Sequence, residues 1–201
     1  GIEFAEKINA AWYSVHAGFC SSPPVAHLGQ DWPKMERLPV EVAEEIFIDS
    51  ITHLVDFAAD RGIGILVENN VLTAGTASAN GDDILLMSEP WSIQRVMMNL
   101  PDTVGLLLDV GHLKVTAQTL QFSASESAEL LAPYVGAYHL SENDGLSDLN
   151  EGVSDDSWFW PHLNGRVDFV TLELNRSYLE SDVISQVETC HRMLGVEETV
   201  S

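Results

Sequence analysis

Val104-Gly105-Leu106-Leu107-Leu108-Asp109-Val110-Gly111-His112 is the stretch on which the fold turns. Five apolar or glycine residues follow one another without polar alternation, the pattern of a strand buried on both faces. The run then stops at a carboxylate. The same reading recurs three times: Ile63-Gly64-Ile65-Leu66-Val67 runs into Glu68, Val135-Gly136-Ala137-Tyr138 into His139, and Phe169-Val170-Thr171-Leu172 into Glu173. A fifth strand is predicted over 11–17, ending near His16. Between them lie helical patterns at 39–61, 89–100, 123–131 and 179–194, with a helical segment over 2–10 leading in. The stripe of the 39–61 helix is predicted to be Val42, Ile46, Ile51, Leu54, Val55 and Ala58. Residues 20–38, 74–81 and 142–162 read as loops, from their Pro, Gly, Ser, Asn and acidic content. Strands alternating with helices specify a parallel sheet of βα units.

The four terminal residues are spaced 41, 30 and 34 residues apart. A (β/α)8 barrel uses about 31 residues per unit. Glu68, Asp109, His139 and Glu173 therefore fall one per strand, at the C-terminal end where such barrels build active sites. Two Glu, one Asp and one His form a hard, oxygen-rich donor set. It suits one divalent ion, Mn²⁺, Mg²⁺ or Co²⁺ before Zn²⁺.

Further residues cluster around these ends. His112 follows Asp109 by three, in what reads as a tight turn at Gly111, and is either a further ligand or a substrate contact. His16 precedes a glycine at a strand end and is a candidate for the pocket lining. Asn69 and Asn70 either orient a carboxylate or a hydroxylated substrate, or make the turn. Trp158 and Trp160 either cover a sugar face or pack their loop. Arg166 and Arg176 are candidate anion contacts, and Cys20 is placed near the mouth. No Walker A loop, GxGxxG or GxSxG occurs.

Acidic residues number 31 and basic residues 9, a net charge of −22 over 201 residues. With 45% apolar residues the chain is globular, and it is read as one domain over 1–201. The charge argues against nucleic acid or an anionic membrane as partner. It fits metal cations, or simply a soluble or salt-adapted surface. Two distant cysteines, Cys20 and Cys190, make no disulfide framework. No apolar run has transmembrane length and no signal peptide is recognisable, so a cytoplasmic protein is expected.

VHAG at 15–18, LVENN at 66–70, LLLDVGH at 106–112, YHLSEND at 138–144 and TLELN at 171–175 together resemble the xylose isomerase-like TIM barrels. That superfamily includes sugar-phosphate isomerases, ketose 3-epimerases and apurinic-site endonucleases. The resemblance implies a divalent metal held by Glu68, Asp109, His139 and Glu173. It implies that Glu68 and Glu173 are also the acid/base pair, and that His112 contacts substrate. The activity implied is isomerisation or epimerisation of a sugar or similar hydroxy-keto compound through a metal-stabilised enediolate. The alternatives are an endonuclease-like phosphodiesterase and a non-catalytic binding protein on the same fold. The endonuclease branch carries an Asp-x-His pair where this chain has Asp148-Leu149-Asn150, and Asn150 is a poor ligand. The ketose 3-epimerases carry an Arg shortly after the His ligand, and this chain does not.

Five strands are countable where a closed barrel needs eight. The expectation is a (β/α)8 TIM barrel incomplete at its N-terminal side. About three units, on the order of 90 residues, would lie upstream or be replaced by another chain. Exposed sheet edges would favour association, for instance as a homo-oligomer.

Overall fold

The computed structural model describes residues 1–27, 32–163 and 167–196. Five strands form one parallel sheet in the order β1-β2-β3-β4-β5: β1 Trp12–His16, β2 Gly64–Glu68, β3 Val104–Asp109, β4 Val135–Leu140 and β5 Phe169–Leu172. The sheet curls into a half-barrel with helices on its outer side, an incomplete (β/α) TIM barrel as the strand count implies. The helices are α1 Ile2–Lys7, α2 Val40–Ala59, α3 Ala74–Asn80, α4 Pro90–Met97, α5 Val110–Leu120, α6 Ala124–Leu131 and α7 Glu180–Leu194. None of them is long and apolar enough to cross a membrane.

The uninterrupted apolar runs follow from two-sided burial. Ile65, Val67, Leu106, Leu108, Tyr138 and Leu140 pack outward into the helical layer. Leu66, Leu107 and Ala137 face inward and form their own small cluster, flanked by Trp12 and Phe169. Inside the arc there is no room for side chains at two glycines. A Cβ on Gly105 would stand 2.7 Å from the Leu66 side chain, and one on Gly64 2.2 Å from the Trp12 ring. Toward the two edges the inner face opens, and Ser14 and Thr171 are exposed there.

Four details depart from the sequence reading. Residues 74–80 are a helix, not a loop: Thr73 caps it by accepting from the Thr76 amide, and Asn80 at its end bonds to the backbone of Trp32, Pro33 and Met35. The turn expected after Asp109 is the first turn of α5, with Asp109 as its N-cap. The buried stripe of α2 is Ala43, Ile51 and Ala58 with half-buried Phe47, Leu54 and Val55. Val42 and Ile46 fall beside this stripe and are exposed. Pro39 is the residue before the first turn of α2, not within it.

The charge of −22 has a direct consequence for stability. Exposed like charges repel over the Debye length, which shrinks from about 10 Å at 0.1 M salt to about 3 Å at 1 M. The melting temperature is expected to rise by several degrees between those NaCl concentrations, at roughly 2–4 °C per kcal/mol for a chain of this size. A flat or falling melting temperature in a salt series would show that self-repulsion is not a significant term.

Candidate metal centre

Parallel register brings the strand ends level. His16 pairs with Glu68 across β1 and β2, and Asp109 with His139 across β3 and β4. Glu173 follows β5 directly, and its amide donates to the Leu140 carbonyl at 3.0 Å. Side chains alternate along a strand, so Glu68 points inward like Leu66, Asp109 like Leu107 and His139 like Ala137. The site is the next layer up on the inner wall of the arc.

Each of Glu68, Asp109, His139 and Glu173 offers one donor atom within 4.8 Å of the other three. His139 Nδ1 is the hub. It stands 3.2 Å from Glu68 Oε1, 3.5 Å from Glu173 Oε2 and 3.7 Å from Asp109 Oδ2. Burial disfavours a charged His139, but hydrogen bonds and charge from Glu173 and Glu68 prevail and raise its pKa to about 10. The bond from His139 holds the Glu173 carboxyl down, to about 2. Burial pushes Asp109 up to about 7. Asp109 Oδ2 is buried and, among the described residues, makes no hydrogen bond. An orphaned buried carboxylate oxygen is costly, and a cation beside it removes that cost. One imidazole and three carboxylates match the donor preference of a hard divalent ion.

The surrounding side chains fix this cluster. Asn69 spans two strand ends, accepting from the Asp109 amide at 2.8 Å and donating to the Asp109 carbonyl at 3.2 Å. His112 is buried; its Nδ1 bonds the Asn69 carbonyl at 2.8 Å, and so carries the hydrogen. Its Nε2 faces Asp148 at 3.4 Å and Asp109 at 3.8 Å. Burial opposes charge on this ring too, yet Asp109 and Asp148 raise its pKa to about 10. His16 is the exposed member, with Nε2 3.6 Å from Glu68 Oε2 and its ring centre 5.8 Å from that of His112. His16, Glu68 and His112 are a second group with donor atoms within 4.8 Å of one another, so the two groups share Glu68.

Asn70 lines the same pocket but its amide is committed to the scaffold. It donates to the carbonyls of Ala17, Gly18 and Leu86 at 2.9–3.2 Å, clamping the chain after β1. Gly111 owes its place to crowding, not to a turn: a Cβ there would lie 2.5 Å from Ser141 Oγ and 3.2 Å from both Asn143 and Asp109 Oδ1. Gly111→Ala is expected to cost about 1–3 kcal/mol and to weaken metal binding by displacing Asp109. Parallel thermal melts and metal titrations check this, and an unchanged variant in both would contradict it.

Other sequence candidates lie elsewhere. Cys20 is fully buried, donates to the Asp83 carbonyl at 3.3 Å, and has its pKa raised chiefly by burial, so it is no nucleophile at the mouth. Trp158 and Trp160 pack around buried Phe159, and Trp160 Nε1 donates to the Ser154 carbonyl at 2.7 Å. Arg176 is exposed, and Arg166 lies outside the described residues. Asp148, met in the sequence only as the first residue of Asp148-Leu149-Asn150 and given no role there, enters the pocket from the loop after β4. The pocket measures about 580 Å³, and His16, Asn70, His112, Asp148 and Glu173 form its polar wall.

No family model and no curated protein sequence matches the chain. Solved structures do match. A D-tagatose 3-epimerase-like protein aligns with a TM-score of 0.68 at 18% identity, over 97% of this chain and 66% of its own. The IolI protein with a bound zinc atom aligns with a TM-score of 0.65 at 17% identity, over 96% and 66%. The fold is that of the xylose isomerase-like barrels. A 3-keto-D-glucoside 4-epimerase from E. coli shares it as well, with a TM-score of 0.59 at 12% identity, over 96% and 66%. The chain thus spans just under two thirds of these xylose isomerase-like proteins. At such identities the likeness speaks for the fold, and the chemistry has to be argued from the site.

Proposed function

We propose that the chain carries the metal-dependent active site of a sugar isomerase or epimerase. The observation that carries this reading is the convergence of Glu68, Asp109, His139 and Glu173 within 4.8 Å, with Asp109 Oδ2 buried and unpartnered. The similar sugar epimerases support it at the level of fold. A divalent cation held by these four residues would supply Lewis-acid polarisation of a carbonyl oxygen and its neighbouring hydroxyl.

The residues themselves move the proton. Glu173 is kept ionised by His139 and lines the pocket, which supports its role as the base that takes the proton α to the substrate carbonyl. Glu68, buried and 3.2 Å from His139, is the second carboxylate of the pair and returns a proton to the opposite face. Asp109 stays behind, fixed by Asn69 and by its capping bond to the His112 amide. His112 holds a substrate oxygen, and His16 covers the open side. The same reading has the open arc of the sheet closed by further strands, from this polypeptide or from a second copy.

The deciding measurement is metal content beside a ketose panel. Elemental mass spectrometry should find one Mn, Co, Mg or Zn per folded chain, lost in a Glu68→Ala/His139→Ala variant. The loaded protein should exchange the substrate α-proton with deuterated solvent. No metal after soaking in Mn²⁺ defeats the reading. The grouping of His16, Glu68 and His112 favours one rival, a phosphodiesterase with two or more ions, and a count of two or three per chain would move the assignment there.

A further inference from the structure

Asp148 has no part in the reading above, yet its setting is built. The loop that carries it is pinned at both ends: Glu142 and Glu151 exchange backbone hydrogen bonds at 2.7 and 2.8 Å, and Asn175 donates to the Leu149 carbonyl at 3.1 Å. Inside the loop Asn143 donates to the Gly111 carbonyl at 2.9 Å, and Asp144 accepts from the amides of Leu146 and Ser147. Lys114 bonds both Glu142 and the Asn143 carbonyl at 2.6 Å, so its charge is already paired within the loop. Asp148 is thereby held against the pocket, with Oδ2 facing His112 Nε2 and Oδ1 without a hydrogen-bond partner among the described residues. An unpaired carboxylate oxygen calls for a hydrogen-bond donor.

We propose that Asp148 is a specificity-determining residue that accepts a hydrogen bond from a substrate hydroxyl, and that the pocket therefore takes an uncharged polyhydroxylated sugar in preference to a sugar phosphate. This rests on the sugar reading of the site. A phosphate at this end would face the carboxylates of Asp148 and Glu173, both lining the pocket, while His112 is already paired with Asp148 at 3.4 Å. A hydroxyl there satisfies Asp148 and keeps the His112 contact. A site that binds a substrate hydroxyl discriminates sharply against a ligand that leaves the acceptor unpaired.

The test uses the full chain loaded with Mn²⁺ and titrates D-fructose, D-tagatose and D-fructose 6-phosphate, read by calorimetry. The wild type should bind a neutral ketose about tenfold or more tighter than the phosphate. Asp148→Ala should weaken the neutral ketose by about tenfold and narrow the discrimination, with metal content unchanged. Asp148→Asn, which keeps an acceptor without the charge, should retain much of the ketose affinity while losing the rejection of phosphate. Equal or tighter binding of the phosphate by wild type overturns the proposal. So does unchanged discrimination in Asp148→Ala, and so does a loss of metal in that variant, which would make Asp148 a ligand instead. If neither sugar binds the metal-loaded protein, the sugar reading itself falls and takes this proposal with it.

Discussion

Glu173→Gln is expected to lower turnover on a ketose substrate by about a hundred- to ten-thousand-fold, the range for losing a general acid/base. The side chain is 41% exposed, and a glutamine keeps an oxygen that can accept from His139, so the amide should leave the fold intact. Removing the charge also takes a partner from His139, which stands 3.5 Å away, and weakens the hold on the cation. The assay therefore belongs at saturating Mn²⁺, with metal content measured alongside. Under those conditions the loss should appear in kcat, with the melting temperature within a few degrees of wild type. A protein that merely binds its ligand would keep its affinity in this variant. Full turnover at full metal occupancy would remove Glu173 from the chemistry.

Metal affinity should depend steeply on pH. Before a cation binds, His139 keeps its proton up to about pH 10 and Asp109 up to about pH 7. A cation must displace both, since ligands bind deprotonated. Affinity therefore rises with pH, by about tenfold per unit where one proton leaves, between about 7 and 10, and more steeply below 7 where the Asp109 proton leaves as well. Going from about pH 7.5 to about 5.5 should cost on the order of a thousandfold in Mn²⁺ affinity. Stabilisation by metal follows the same course: a hundredfold excess over the dissociation constant adds about 2.7 kcal/mol, worth roughly 5–10 °C, and this gain should fade on acidification. Calorimetric titrations at several pH values in buffers of different ionisation enthalpy would count the released protons. An affinity flat across that range would place the ion somewhere other than this cluster.

The strand-end candidates were legible because two signals coincide there. Buried parallel strands read as unbroken apolar runs, and Glu68, Asp109, His139 and Glu173 end those runs at unit spacing. Helix α3 was not legible: its sequence AGTASAN has weak helical propensity, and bonds from Asn80 to residues 32–35 hold it. Helix α5 was hidden by Asp109, which serves both as candidate ligand and as N-cap, so the helix starts with no gap after the strand. Asn70 reads as a polar residue free for substrate, because three carbonyls distant in sequence or across a loop claim it only in the fold. Asp148 is set by the folding back of residues 142–151, which depends on the Glu142 to Glu151 bridge and leaves no periodic trace.

The placement of one ligand per strand end also constrains how the protein is made. Glu68 and Glu173 are separated by 105 positions in the chain. The last of the four candidates is therefore synthesised 105 residues after the first. No single βα unit holds more than one member of the set of four, and a growing chain holds all four only once it has reached Glu173. The cation thus has no complete site to nucleate around. On the proposed reading, the apolar layer led by Ile65, Leu106 and Tyr138 brings the four residues together, and a metal would be captured by an arc that is already folded.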